Sequence, residues 1–340
     1  MRPQDKQILE VFITSSQKNM KRVISRFLHK HYKKVIETKE YVFAEGDIPI
    51  ALVAHLDTVF EDSIHKESRE LFYDESHNVA FCPQGAGFDD RAGIFAIIQI
   101  IRSGLKPHVI FTTDEEVGGL GASKLAELDC PFKDLKYVIE LDRRGSNDCV
   151  FYDCENPKFT EYVESFGFEY NFGSYTDICE LCPTWKIAGV NLSIGYRDEH
   201  SVSEVLFVGR MYSTIEKVKK MLADAANLKE PFEYIPSPTR YNYAYGMDWY
   251  NWGSSAYGHG VSKCRQCKKY FMEEELFPVV MLDKTTAFFC PDCLVDHVSW
   301  CKECQSAYQK YSPEAPSEGI CPICQDLKEK KTNVAINTNE

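Results

Sequence analysis

Five short segments of this chain place histidine and carboxylate side chains where buried strands run out. ALVAHLDTVF carries an apolar run into His55, with Asp57 two positions on. Alternation along a strand puts these two side chains on one side, so Asp57 can orient the His55 imidazole or a neighbouring group. GAGFDDRAGIFAII delivers Asp89 and Asp90 from a glycine-rich loop at the start of an apolar helix, and either aspartate could instead cap that helix. VIFTTDEEVGG runs from a buried strand straight into Asp114, Glu115 and Glu116. Adjacent carboxylates repel one another unless cations or solvent offset them, and their place at the mouth of a strand favours cations. VIELDRRG sets Asp142 at another strand end, and VNLSIGYRDEHSVSE sets His200 ahead of a long amphipathic stretch. Together these segments supply two histidines and several carboxylates, donors that suit paired divalent ions such as zinc.

A second set of donors is made of sulfur. Of the fourteen cysteines, eight form CxxC pairs in the last quarter of the chain: Cys264 with Cys267, Cys290 with Cys293, Cys301 with Cys304, and Cys321 with Cys324. Thiolates at this spacing can hold two tetrahedral structural zinc ions. CRQCKKYF and CPDCLVDHVS are followed by CKECQSAY and CPICQDLKEK, which read as one unit repeated. The repeat favours pairing first with second and third with fourth over a cross-braced arrangement. So small a module cannot bury enough core to fold without metal. Its expected role is structural or interaction-mediating, with a protein partner. Nucleic acid is not expected, because acids offset its lysines and arginines. The other six cysteines lie within the first 182 residues and read as reduced interior thiols, Cys179 and Cys182 in DICELCP included.

The elements that must position the oxygen and nitrogen donors follow from the hydrophobic pattern. Short apolar runs alternate with amphipathic stretches from residue 5 to about 227, the rhythm of an α/β domain. Strands are predicted at 48–56, 108–112, 137–141, 149–152 and 190–195. Helices are predicted at 4–14, 18–31, 90–103, 122–128, 157–166 and 203–226. The expected fold is therefore α/β, a mixed but mostly parallel central sheet flanked by helices, with a small C-terminal zinc-binding domain. The expected divisions are a catalytic domain over 1–227, an aromatic, proline- and glycine-rich connection over 228–262, a double zinc-finger module over 263–328, and a tail over 329–340. A net charge of −12 argues against a general electrostatic grip on nucleic acid. No apolar run is long enough to span a bilayer, and the charged start does not read as a signal peptide, so a cytoplasmic protein is expected.

The segments HLDT, GFDDRAG and FTTDEEVGG resemble the motifs of the co-catalytic zinc peptidases, the superfamily of the bacterial aminopeptidases, peptidase T and the glutamate carboxypeptidases. The resemblance spans roughly residues 40–210, and ELDRRGSND and GSYTDI are also similar to phage-encoded peptidase-like proteins. It implies that Asp89 bridges two catalytic metals, with His55 and Asp142 on different ions and Glu116 and His200 completing the two shells. It also implies that Glu115 is the general base and that Asp57 positions a ligand. Charge developing on the substrate carbonyl oxygen needs a further donor, for which Tyr196 and Arg197 are candidates. Asp177 is placed near the site by the same resemblance. Only 57 residues separate Asp142 from His200, and 33 separate His55 from Asp89. Neither gap has room for the lid or dimerisation domains of some members, so a compact lidless domain is expected. The activity implied is metal-dependent hydrolysis of an amide bond, aminopeptidase-like. The alternatives are a deacylase or amidase acting on a non-peptide amide, and a zinc-finger binding protein with a non-catalytic hydrolase-like scaffold.

Overall fold

In the first 237 residues, strands predicted from continuous apolar runs form the middle of a large sheet. A computed structural model describes residues 1–64, 66, 68–237, 261–272, 276–282, 286–303, 307–310, 319–322 and 324–325. In chain order the elements begin with α1 (Pro3–Ile13), α2 (Gln17–His31), β1 (Lys34–Glu37), β2 (Tyr41–Glu45) and β3 (Ile48–His55). Next come β4 (Phe72–Asp74), β5 (Val79–Phe81), α3 (Phe88–Arg102), β6 (Pro107–Thr112), α4 (Leu120–Ala126) and β7 (Tyr137–Arg143). They continue with β8 (Asp148–Val150), α5 (Pro157–Glu164), β9 (Glu169–Tyr170), α6 (Ile178–Trp185), β10 (Gly189–Ser193), β11 (Tyr196–Arg197), β12 (Val205–Phe207) and α7 (Val208–Asp224).

The main sheet has eight strands in the order β1-β2-β6-β3-β7-β10-β8-β9. Its centre, β6-β3-β7-β10, is parallel, while β2 joins β6 and β8 joins β10 in antiparallel fashion. The α/β class and mostly parallel sheet expected from sequence are thus present. Burial on both faces explains the unbroken apolar runs. Ile50, Leu52 and Ala54 of β3 pack into the core with α1, α3 and α7, while Ala51 and Val53 face the core with α4 and α6. Parallel strands that enter one face together also end together, so His55, Thr112 and Asp142 emerge along one edge, with His55 in register with Thr112.

One sequence expectation is corrected, and one helix was not anticipated. The helix predicted over 203–226 begins only at Val208, because Val205–Phe207 forms β12 and pairs with both β5 and β11. The segment around Cys179 and Cys182 is a helix, α6, packed against β7 and β10. The small sheet β11-β12-β5-β4 and the hairpin β1–β2 were not anticipated. Residues 228–237, expected as the start of a surface connection, bond back to the large sheet, with the Phe232 amide donating to the Lys136 carbonyl at 2.9 Å. The aromatic tract from 238 to 260 lies outside the described residues.

The chain divides into two units, Met1–Ala256 and Tyr257–Glu340. In the second, β13 (Val261–Lys263) pairs with β14 (Tyr270–Met272). A separate four-stranded sheet follows, made of β15 (Phe277–Val280), β16 (Thr286–Phe289), β17 (Val298–Trp300) and β18 (Ala307–Gln309), with α8 (Pro291–His297) before β17. Among the described helices, none is long and apolar enough to cross a membrane.

Candidate metal centre

The five oxygen and nitrogen donors singled out by sequence converge at the carboxyl edge of the parallel strands, where open α/β sheets place their ligands. β3 ends in His55, which is fully buried. Its Nε2 lies 3.0 Å from Asp89 Oδ1 and 3.6 Å from Asp142 Oδ1, and its Nδ1 lies 3.2 Å from Asp57 Oδ1. His200 arrives from the loop before β12 and sets its Nε2 2.9 Å from Glu116 Oε2 and 3.3 Å from Asp89 Oδ2. Two groups therefore form, His55 with Asp89 and Asp142, and Asp89 with Glu116 and His200, each with donor atoms within 4.8 Å of one another. Asp89 belongs to both. His55 and Asp142, expected on different ions, end neighbouring parallel strands and bring their donor atoms together in one group.

Local backbone chemistry sorts the ambiguous acids. Near the start of α3 the backbone kinks at Asp89 and Asp90; Asp90 turns inward and its Oδ1 accepts the Gly93 amide at 2.9 Å, capping the regular helix beyond the kink, while Asp89 faces the site. Gly93 has to be small here, since a Cβ would stand 2.4 Å from the Leu141 carbonyl oxygen. Among the three consecutive acids after β6, Asp114 accepts from Gln17 Nε2 at 2.8 Å and anchors the turn to α2. That leaves Glu115 and Glu116 for the site. Asp57 accepts both of their amides, at 3.1 and 3.0 Å, besides contacting His55. One carboxylate thus orients an imidazole and fixes the acidic turn.

Asp142 is held by the Tyr196 hydroxyl, which donates to Oδ1 at 2.9 Å, and by the Thr176 hydroxyl, which donates to Oδ2 at 3.1 Å. Tyr196, considered from sequence as a substrate contact, is only 2% exposed and its hydroxyl is engaged by Asp142. Arg197 is exposed, with its guanidinium 5.7 Å from the Phe207 ring centre. Asp177 is fully buried and accepts from the Thr112 hydroxyl. Sequence reasoning missed Glu204, whose carboxylate is 1% exposed and accepts the amides of Phe88 and Asp89 at 2.9 and 3.0 Å. Its place four residues after His200 was the only available signal, and it reads equally as an ordinary first-turn acid of the long helix.

The electrostatics reflect crowded buried acids. Burial, reinforced by Asp89, pushes the Asp142 carboxyl up to about 7. Burial and the charges of neighbouring acids also drive Glu115 and Glu116 upward. Hydrogen bonds with Asp89 and Glu116 hold His200 up to about 11. Burial would raise Asp89 as well, but its bonds with His200 and His55 outweigh that and keep it ionised. Glu116 Oε1 is buried without a hydrogen-bond partner. Several buried carboxylates around two imidazoles, with an acceptor oxygen left unpaired, are chemically matched to divalent cations.

In the second unit, Cys264, Cys267, Cys290 and Cys293 bring their sulfur atoms within 4.8 Å of one another, and so do Cys301, Cys321 and Cys324. This grouping is the sequential one that the repeat favoured. Cys304 lies outside the described residues.

No protein-family model matches the chain, and no curated protein matches it in sequence. Solved structures do share its architecture. A tripeptidase from Staphylococcus aureus subsp. aureus Mu50 superposes with a TM-score of 0.54 at 11% identity, over 65% of this chain and 98% of that one. The aminopeptidase PepT from Bacillus cereus ATCC 10987 gives 0.52 at 13%, over 66% and 97%. A TET aminopeptidase from the marine sediment archaeon Thaumarchaeota archaeon SCGC AB-539-E09 gives 0.52 at 14%, over 65% and 97%. At these identities the likeness is one of fold: the chain has the mixed α/β architecture of these aminopeptidase-like proteins.

Proposed function

We propose that the protein is a metal-dependent hydrolase of amide bonds, aminopeptidase-like, with its reaction centre at Asp89. The observation that carries this reading is the sharing of one carboxylate, Asp89, between two three-donor groups. His55 and Asp142 would hold one divalent cation with Asp89, and Glu116 and His200 would hold the other. Zinc fits their mixed nitrogen and oxygen donors. Bound there, the ions would acidify a water and polarise the substrate carbonyl.

The chain's own residues supply the rest. Glu115 is not a member of either donor group, yet its carboxylate is within electrostatic reach of His55, Asp142 and Glu116. It takes the proton from the attacking water on a carboxylate oxygen and returns it to the leaving amine nitrogen. Asp57 holds the acidic turn that carries this carboxylate by accepting hydrogen bonds from the Glu115 and Glu116 backbone amides. Tyr196 and Thr176 fix the rotamer of Asp142, so no donor has to reorganise as the reaction proceeds. The exposed Arg197 is the remaining sequence candidate for a donor to the carbonyl oxygen. In the C-terminal unit, the two cysteine groups are read as structural zinc sites with the eight cysteines as ligands, on a module that meets a protein partner.

The test is metal content and hydrolysis of an aminoacyl substrate panel by wild type and Glu115→Gln. Four zinc ions per chain are expected, with activity lost and metal retained in the variant. Two ions per chain, both released by substituting the C-terminal cysteines, would overturn the catalytic reading.

A further inference from the structure

Exposed apolar side chains crowd the segments that carry the candidate centre. Val117 and Leu120 follow Glu116 in the turn into α4 and are 56% and 55% exposed. Phe172 and Tyr175 lie just before Thr176 and are 77% and 39% exposed, and Val202, two residues after His200, is 63% exposed. Large apolar side chains left in water beside a cluster of buried charged donors mark a place where a ligand completes the surface.

The segment bearing Phe172 and Tyr175 is fixed at both ends. The Asn171 amide donates to the Cys149 carbonyl at 2.9 Å, Arg143 Nη2 donates to the Phe172 carbonyl at 2.7 Å, and Thr176 donates to Asp142. From this strap Tyr175 reaches across to the acidic turn. A Cβ built on Gly119 would stand 1.8 Å from the Tyr175 hydroxyl oxygen, and the hydroxyl donates to Glu180 at 3.2 Å. The phenol therefore spans from the Asp142 side of the centre to the Glu116 side, within electrostatic reach of Glu115. Gly119, with φ at +64°, gives it room to do so.

We propose that Tyr175, with Val117 and Leu120 on the turn it reaches, forms the subsite for the side chain on the acyl side of the scissile amide. The substrate class is then amides whose acyl-side residue is large and aliphatic or aromatic. This inference rests on the hydrolase reading above. A carbonyl placed at the centre seats its own residue at the mouth, so that residue's side chain meets the rim. Tyr175, Val117 and Leu120 present a ring and branched aliphatics to solvent beside the acidic turn.

The test uses the zinc-loaded full chain and the 4-nitroanilides of leucine, phenylalanine, glutamate and lysine. Wild type is expected to favour the leucyl and phenylalanyl substrates by on the order of 10–100-fold in kcat/KM. Tyr175→Ala should erase most of that preference, mainly through KM and with zinc content unchanged, while Tyr175→Phe should keep it. Val117→Asp, at an exposed position where folding is not at stake, should also narrow the ratio. Calorimetric binding of phenylalanyl- and glutamyl-4-nitroanilide to Glu115→Gln gives a readout that needs no turnover, and the same order of affinity is expected. Hydrolysis without discrimination, a preference for charged residues, or a ratio unchanged in Tyr175→Ala and Val117→Asp would overturn the subsite alone. A wild type that hydrolyses none of the four and binds neither probe would overturn the subsite and the hydrolase reading together.

Discussion

Asp89 is steered from two directions: its carboxylate meets His55 and His200, while its amide and that of Phe88 are taken by the buried carboxylate of Glu204. Removing that acceptor frees the backbone that aims the shared donor, so Glu204→Ala should weaken zinc binding and activity by about 10–100-fold, the usual effect of losing a partner that orients a ligand. Glu204→Gln, which keeps an acceptor, should lose less; competition with a fluorescent chelator checks both. Away from the centre, His108 accepts the Gly46 amide through Nδ1 and stacks on Phe132. Burial lowers its pKa from the ordinary 6.5 to about 4. The folded state thus keeps the imidazole neutral, and the stability this gives is full above pH 6.5 and is lost as pH falls towards 4. Between pH 7 and 5 the loss is about 1–2 kcal/mol. His108→Asn, with an acceptor in place of Nδ1, should show a smaller fall in melting temperature over that interval, measured by thermal denaturation at both pH values. The motif acids and histidines were legible because their side chains carry their own chemistry. Glu204 was not, because its work is done on backbone amides far away in sequence.

Strands β3, β6 and β7 could be read from sequence because burial on both faces leaves a continuous apolar run bounded by polar turns, and their shared carboxyl edge then located the site. Strands of two or three residues carry no such period. β4, β5, β11 and β12 are stabilised by pairing with partners distant in the chain, so the residues now in β12 read as the first turn of α7. α6 was not legible because it is only eight residues long and carries Pro183 within it, a residue that ordinarily breaks a helix. The contact between α3 and β7 is close enough to test. A methyl group at Gly93 would meet both Asp90 Oδ1, at 2.3 Å, and the Leu141 carbonyl oxygen. Gly93→Ala should cost about 2–3 kcal/mol in a urea titration, as overpacking in a tight core does, and should also disturb Asp142, the residue after Leu141.

The two units draw on different sources of stability. The first buries two apolar clusters, one on each face of its sheet, whereas the described core of the second is small and is interleaved with Cys264, Cys290 and Cys301. Chelation should therefore unfold the second unit while the first keeps its fold. Limited proteolysis with and without a strong zinc chelator checks this, with new cleavage expected within 261–325 and protection retained over 1–237. The central claim, that Asp89 joins two cation sites, is tested most directly by counting zinc on the intact chain by native mass spectrometry in wild type and Asp89→Ala. Four ions falling to two is the expected result. A wild type that carries only two ions, or an Asp89→Ala chain that still carries four, would contradict it.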